Sequence, residues 1–316
     1  MRQIARFVPH AVVLVFAAWC AFALRGDLSQ VSLAPVLRAW DLIALAAVFS
    51  LLNYVLRIVR WRSYLARLGH PLGLRFAALT FIAGFAYTLS PGKVGEMVRA
   101  RYYLPLGVPL SRTAAAFFAE RLLDLLAMVV LAALLFAGSA QYRGAILGAA
   151  ALVVGALIVF AFVPWNRVTA RLGAANRIPG ALRKALIGIS SALASTKPLL
   201  RPAPMAFGFA IGLVAWGLEG VGLNVVAGML PAVHLDVPTA VGIYAVAVLV
   251  GGLSFLPGGL GSTEAVMTAL LVTHGFALSD SILLTLACRF VTLWLAVCLG
   301  WIAVLVLPKR SLAVAS

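Results

Sequence analysis

The chain has 316 residues, 64% of them hydrophobic and 11% charged, with a mean hydropathy of +1.08. That balance excludes a soluble globule and a disordered chain, and three cysteines (Cys20, Cys288, Cys298), all in apolar stretches, exclude a secreted disulfide scaffold. Lys and Arg outnumber Asp and Glu by 25 to 9, but the basic residues cluster between apolar segments, so the net charge of +16 points to a membrane surface rather than a nucleic acid.

The expectation is an all-α polytopic membrane protein. Pro9 to Leu24, behind Arg2 and Arg6, reads as an uncleaved first helix with a cytoplasmic N-terminus. A second helix is expected over Asp41 to Val59, with its cytoplasmic end marked by Arg57, Arg60, Arg62, Arg67 and Arg75. Phe76 to Leu89 has 14 residues, short of the ~20 that a spanning helix needs. It stops at Ser90-Pro91-Gly92-Lys93, and a second short helix is expected from Val94 to about Leu104. Proline removes a backbone donor and glycine frees the chain, so this is a helix–break–helix, re-entrant from the cytoplasmic side.

Spans are expected at Thr113 to Ala137 and Ala145 to Val163, joined by a short outer loop. The connector Trp165 to Pro202 holds seven basic residues and no acid, and reads as cytoplasmic and partly an interfacial amphipathic helix. Another span, Met205 to Leu230, leads outward. Thr239 to Leu256 then ends at Pro257-Gly258-Gly259-Leu260-Gly261, a second arm runs to His274, and a last span covers Ser281 to Leu307 ahead of Lys309 and Arg310. The predicted architecture is six spanning helices plus two re-entrant hairpins in one membrane domain, 1–316. Its parts are a first helix and outer loop (1–40), a first half (41–164), the basic connector (165–202) and a second half (203–316).

The two breaks share the pattern Pro-Gly-x-[Val/Leu]-Gly at an offset of 166, and Arg121 and Arg289, in the helices behind them, lie 168 apart. Two hairpins of opposite topology with breaks near the midplane form the inverted-repeat plan of transporters.

Five of the nine acids lie in or at the ends of apolar segments: Glu96, Glu120, Asp124, Glu219 and Glu264. Arg121 and Arg289 join them, and Lys93 sits in the first break. Each charge at membrane depth costs about 2.5–3.5 kcal/mol, so these groups must pair or face water. Glu96 with Arg99, and Arg121 with Asp124, have the spacing of one helical face, as do Glu120 and Asp124. Lys93 or Arg121 supplies the cation that two neighbouring carboxylates require. Two readings stand: a structural salt-bridge cluster, or a site for a lipid headgroup. The breaks, Pro91, Gly92 and Gly95 and then Pro257, Gly258, Gly259, Gly261 and Ser262, are a second candidate anion site through the free amides at the helix starts near Val94 and Ser262, unless the glycines merely permit the turns. Asn53, Arg57, Arg60, Trp61 and Arg62 are expected at the cytoplasmic rim, as headgroup attractors or snorkelling anchors. Glu96 and Glu264 either exchange protons to drive transport or cap amides in the turns. Glu219, with Asn224, is expected to face a partner helix or a cavity. No histidine has metal-ligand spacing, and no catalytic or nucleotide motif is present, so neither metal nor cofactor is expected.

The runs Leu89 to Arg99, Ala119 to Leu125, Leu256 to Ala265 and Arg289 to Trp294 resemble the flippase-like membrane domain of lysylphosphatidylglycerol synthases, in order and spacing along almost the whole chain. The resemblance implies a flippase of the inner membrane that moves a phospholipid, aminoacyl-lipid, hopanoid or polyprenyl-linked lipid between leaflets. Its partners are then lipid substrate and anionic headgroups, with homo-oligomerisation left open. Lysyl transfer is not implied, because the aminoacylating members carry a further soluble domain. The alternative is a membrane-embedded accessory protein or transferase in glycolipid or hopanoid assembly.

Overall fold

A computed structural model describes residues 34–135, 143–174 and 179–307. The expected first helix, Cys20 and both termini lie outside the described residues. All regular structure among the described residues is helical.

After a helical turn at Ala34–Arg38, α1 runs over Trp40–Arg67, 28 residues, or about 42 Å at 1.5 Å per residue. Two stripes explain it. Ala46, Ser50, Asn53, Arg57, Arg60 and Tyr64, spaced alternately four and three apart, are buried. Leu45, Val48, Leu52, Val55 and Val59 follow the same alternation on the exposed side. The helix is thus apolar outside and polar inside, as lipid requires. This corrects the expectation that α1 ends at Val59. Arg57 and Arg60 point into the protein, so they neither end the helix nor snorkel outward.

Helix α2 covers Leu74–Phe85. The first break follows, but the second arm is not the helix expected from Val94 to Leu104. It is a 3-10 stretch, Pro91–Val98, followed by the five-residue α3, Arg99–Tyr103. The chain takes left-handed backbone at Gly92 (φ 59°) and Lys93 (φ 56°), which tightens the winding ahead of any regular turn.

Next come α4 (Leu110–Leu135) and α5 (Arg143–Phe162). The basic connector holds two helices, α6 (Trp165–Ala174) and α7 (Gly180–Thr196). None of α6 is buried, whereas α7 packs on α4 and buries Ser190, Ala192, Leu193 and Thr196.

Helix α8 is Pro202–Ala227, and α9 is Val237–Leu253. The Asp236 carboxylate accepts from the Thr239 backbone N–H at 3.2 Å and starts α9. Hydrogen bonding from Thr239 holds the Asp236 carboxyl below the usual carboxylate range. The second break, Pro257–Gly259, leads into α10, Ser262–Thr273. Helix α11, Leu278–Arg289, continues through a π-helical turn, Phe290–Trp294, into α12, Leu295–Val306. Such a turn leaves carbonyls poorly paired, and the Tyr54 hydroxyl of α1 donates to the Thr292 carbonyl at 2.8 Å.

Three described helices are long and apolar enough to cross a membrane: Trp40–Arg67, Pro202–Ala227 and Leu278–Val306. A fourth is reached if the bent pair Ala150–Phe160 and Trp165–Ala174 counts as one span. Helix α4 has the length but carries Glu120, Arg121 and Asp124 within its apolar run. This is an integral membrane protein. Helix α8 packs along α1, α2 along α12, and α9 along α4, while the first break touches the second.

Candidate functional site

The two breaks share a pair of left-handed residues. Gly92 and Lys93 have φ of 59° and 56°; Gly258 and Gly259 have φ of 62° and 68°. Glycine takes this conformation at no steric cost, but a lysine does so at about 1–2 kcal/mol. The first break accepts that strain and thereby places an ammonium at its tip.

Behind it lies a buried ionic cluster built by three segments. The Glu120 Oε1 of α4 is met by Arg57 at 3.2 Å, Arg60 at 3.2 Å and Arg121 at 3.3 Å, and its Oε2 lies 3.6 Å from Arg99. Asp124, one turn on, receives Arg60 at 2.7 Å and Arg121 at 3.2 Å. Glu96 pairs with Arg99 at 2.9 Å and accepts from the Thr88 hydroxyl at 3.0 Å. The Arg99 guanidinium lies 3.9 Å from the Phe81 ring centroid. Arg57, Arg60, Glu96, Arg99, Glu120 and Asp124 are all buried. The expected i,i+3 pairs are present, but the cations that satisfy Glu120 and Asp124 come chiefly from α1, with Arg121 in support. Lys93 makes no ion pair among the described residues.

The cluster opens on one side into a cavity of about 270 Å³ where the breaks meet. Lys93, Arg121 and Arg289 all line it, from the first break, α4 and α11. Asp124, Gly92, Gly258 and Gly259 line it too, together with an apolar wall that includes Leu125, Met128, Leu249 and Leu256. Trp216 of α8 forms part of the same wall, its ring 5.4 Å from the Lys93 ammonium and 5.3 Å from the Arg57 guanidinium. Such distances place both cations over the ring's negative face.

The other expected site residues lie outside this lining. Asn53 is buried and donates to the Ala215 carbonyl at 2.7 Å. It joins Arg57, Arg60 and Trp61 as residues expected at the rim and found inside; Arg62 alone of that group is exposed, and it donates to the Leu72 carbonyl at 2.9 Å. Glu219 faces a partner helix, accepting from the Ser50 hydroxyl at 2.7 Å. Asn224 donates to the Leu235 carbonyl.

At each break one glycine amide expected to be free is held by a side chain. The Gly95 N–H donates to the Ser90 hydroxyl at 2.6 Å, and the Gly261 N–H to the Glu264 carboxylate at 2.6 Å. Side chains of the breaks take up these donors, and no regular helix starts at Val94. Ser262 is engaged as well, donating to the Gly259 carbonyl at 3.1 Å. Pro91 and Pro257 simply open each 3-10 turn. Glu264 therefore caps an amide. Glu96 does not; it meets Thr88 and Arg99. Glu264 also pairs with Arg289 at 2.6 Å, and Arg289 donates to the Gly258 carbonyl at 2.9 Å. The base missing beside Glu264 in sequence arrives from 25 residues on.

Sequence reasoning missed Trp216 and the inward role of Arg60. The alternating polar stripe of α1 carries the signal for Arg60. Trp216 has no counterpart signal, because one aromatic in an apolar helix looks like packing. The lysylphosphatidylglycerol synthase TM region family matches the chain over residues 9–300. No curated protein matches it.

Proposed function

The chain belongs to the lysylphosphatidylglycerol synthase transmembrane-region family, a membrane family of lipid metabolism or transport, and on that footing we propose that it is a lipid flippase of the cytoplasmic membrane. The observation that carries this reading is the cavity in which the two breaks meet, lined by Lys93, Arg121 and Arg289. A headgroup crossing an apolar slab needs a polar station partway, and irregular backbone at that depth is tolerated where it lines such a station. Transport rather than transferase chemistry is favoured because each carboxylate of the cluster is engaged by a cation or a hydroxyl.

The inverted repeat belongs to the same proposal. It is supported by the shared left-handed pair in the breaks and by the exchange of roles in packing, α2 on α12 matching α9 on α4. The two halves then present the cavity alternately to either leaflet, with both termini in the cytoplasm. In a cysteine-free background, Cys at Leu106 is expected to label from the cytoplasm and Cys at Leu278 from outside. Both positions are exposed. Labelling of both from one side would end the inverted-repeat reading.

The functional test is a leaflet-translocation assay in proteoliposomes. Gln at Lys93, Arg121 or Arg289 is expected to slow translocation roughly tenfold or more, since each removes a charge-assisted contact with the headgroup. The folded protein should persist for Lys93→Gln, because Lys93 holds no ion pair among the described residues. Wild-type protein that moves no lipid would reject the proposal.

A further inference from the structure

We infer that the cavity selects a phosphate-headed lipid of net negative charge, and that the Trp216 indole N–H is one of its headgroup donors. The inference rests on the flippase reading for its physiological meaning, but its evidence is the unfilled bonding capacity of the cavity.

Among the residues that line the cavity, the unpartnered side-chain atoms are mostly donors. Trp216 is 6% exposed, and its Nε1 has no hydrogen-bond partner. Arg121 Nε likewise lacks an acceptor, while its Nη2 is ion-paired with Glu120 and Asp124. The Lys93 ammonium contributes three further donors and has no ion pair among the described residues. A buried donor without an acceptor costs about 1–3 kcal/mol, so several at one cavity describe the shape of a missing acceptor. The open side-chain acceptor at the same wall, Asp124 Oδ2, already lies 3.2 Å from Arg121 Nη2.

Charge points the same way. Every carboxylate of the cluster is engaged, Glu219 by a hydroxyl and the others by arginines, and the positive charge of Lys93 remains uncompensated. A phosphate without a cation of its own supplies acceptors and charge together. A polyol or hopanoid headgroup brings donors of its own and no charge. A choline headgroup is neutral overall, and a lysyl ester is net positive, so each sets a second cation among Lys93, Arg121 and Arg289. Like charges at that spacing in an apolar setting are repulsive. An aminoacylated lipid is therefore not what this cavity fits.

The test measures equilibrium binding to the purified full-length chain in nonionic detergent, where no leaflets exist. The probes are the dihexanoyl forms of phosphatidic acid, phosphatidylglycerol, phosphatidylcholine and the lysyl ester of phosphatidylglycerol. The first two are expected to bind at least roughly tenfold more tightly than the last two. Trp216→Phe keeps the ring and removes the N–H, and should weaken the anionic probes about fivefold, the worth of one hydrogen bond. Lys93→Gln should weaken them about tenfold, and Lys93→Arg should recover most of the loss. Phosphatidylcholine or the lysyl ester binding as tightly as phosphatidylglycerol overturns the inference, as does the absence of binding by all four. Unchanged anionic binding by a folded Trp216→Phe variant removes Trp216 from the site. Were Trp216→Phe not to fold, the wild-type ranking and the Lys93 pair decide the matter without it. Failure of the flippase reading is separable: selective binding without translocation rejects transport alone, and translocation of all four probes at equal rates rejects the selectivity alone.

Discussion

Glu120→Gln is expected to destabilise the protein by about 3–5 kcal/mol, the range for breaking a buried pair from one side. The substitution is nearly isosteric, so the loss is electrostatic. Arg57, Arg60 and Arg121 all reach one oxygen of Glu120 within 3.3 Å, and Arg99 lies 3.6 Å from the other. Without that charge, four guanidinium groups have only Glu96 and Asp124 nearby. The measurement is the thermal midpoint of monodisperse protein in detergent, and removal of one cation supplies the control. Arg57→Gln added to Glu120→Gln should recover part of the loss, because the charge balance is restored and neighbouring sites couple. Strict additivity of the two changes would show that the cluster does not act as a unit. Asp124→Asn, which leaves Glu120 in place, should cost less.

Gly300→Val is the second large effect. Helix α12 crosses α2 so closely that a Cβ at Gly300 would fall onto the backbone of Phe85 and Ala86, 2.7 Å from the Phe85 carbonyl carbon. Backbone cannot rotate aside as a side chain can, so the helices must separate. Small residues at such crossings are what allow helices in lipid to pack at all. Overpacking of this kind costs about 1–3 kcal/mol and sometimes more; with two methyls beyond the Cβ, the upper end is expected. Because α2 leads directly into the first break, translocation should fall together with the thermal midpoint. Gly217→Val is the control. A Cβ there has nothing within 4 Å, so both readouts should stay at wild-type values. Equal effects of the two substitutions would show that the loss reflects valine in a membrane helix and not the α2–α12 crossing.

The positions of the breaks were legible because their cause is local. Pro91-Gly92 and Pro257-Gly258 break helices wherever they occur. The helical class was legible for a similar reason, since backbone in lipid must bond within its own segment. The buried charges could also be singled out, because the cost of a charge at membrane depth depends on depth alone. Lys93, Arg121 and Arg289 were grouped on that ground, and they do share one cavity.

What local chemistry could not say was which partner each charge meets. Arg57 and Arg60 look like the basic end of a span, and their inward direction depends on the 4-3 stripe of α1 facing α4 and α8. Glu264 lacks a base in its own segment, and finds Arg289 only because α10 packs against α11. The amides of the breaks looked free until Ser90 and Glu264 were seen to hold them. Trp216 joined the site because its ring comes within 5.4 Å of the Lys93 ammonium, which is far from it in sequence. The sequence by itself determined an all-helical membrane chain, two Pro-Gly breaks and a short set of costly charges, because bilayer thickness, backbone bonding and desolvation act on each segment separately. Only the tertiary structure decided which charges became an internal scaffold and which faced the cavity, because pairing across segments depends on distances that packing alone sets.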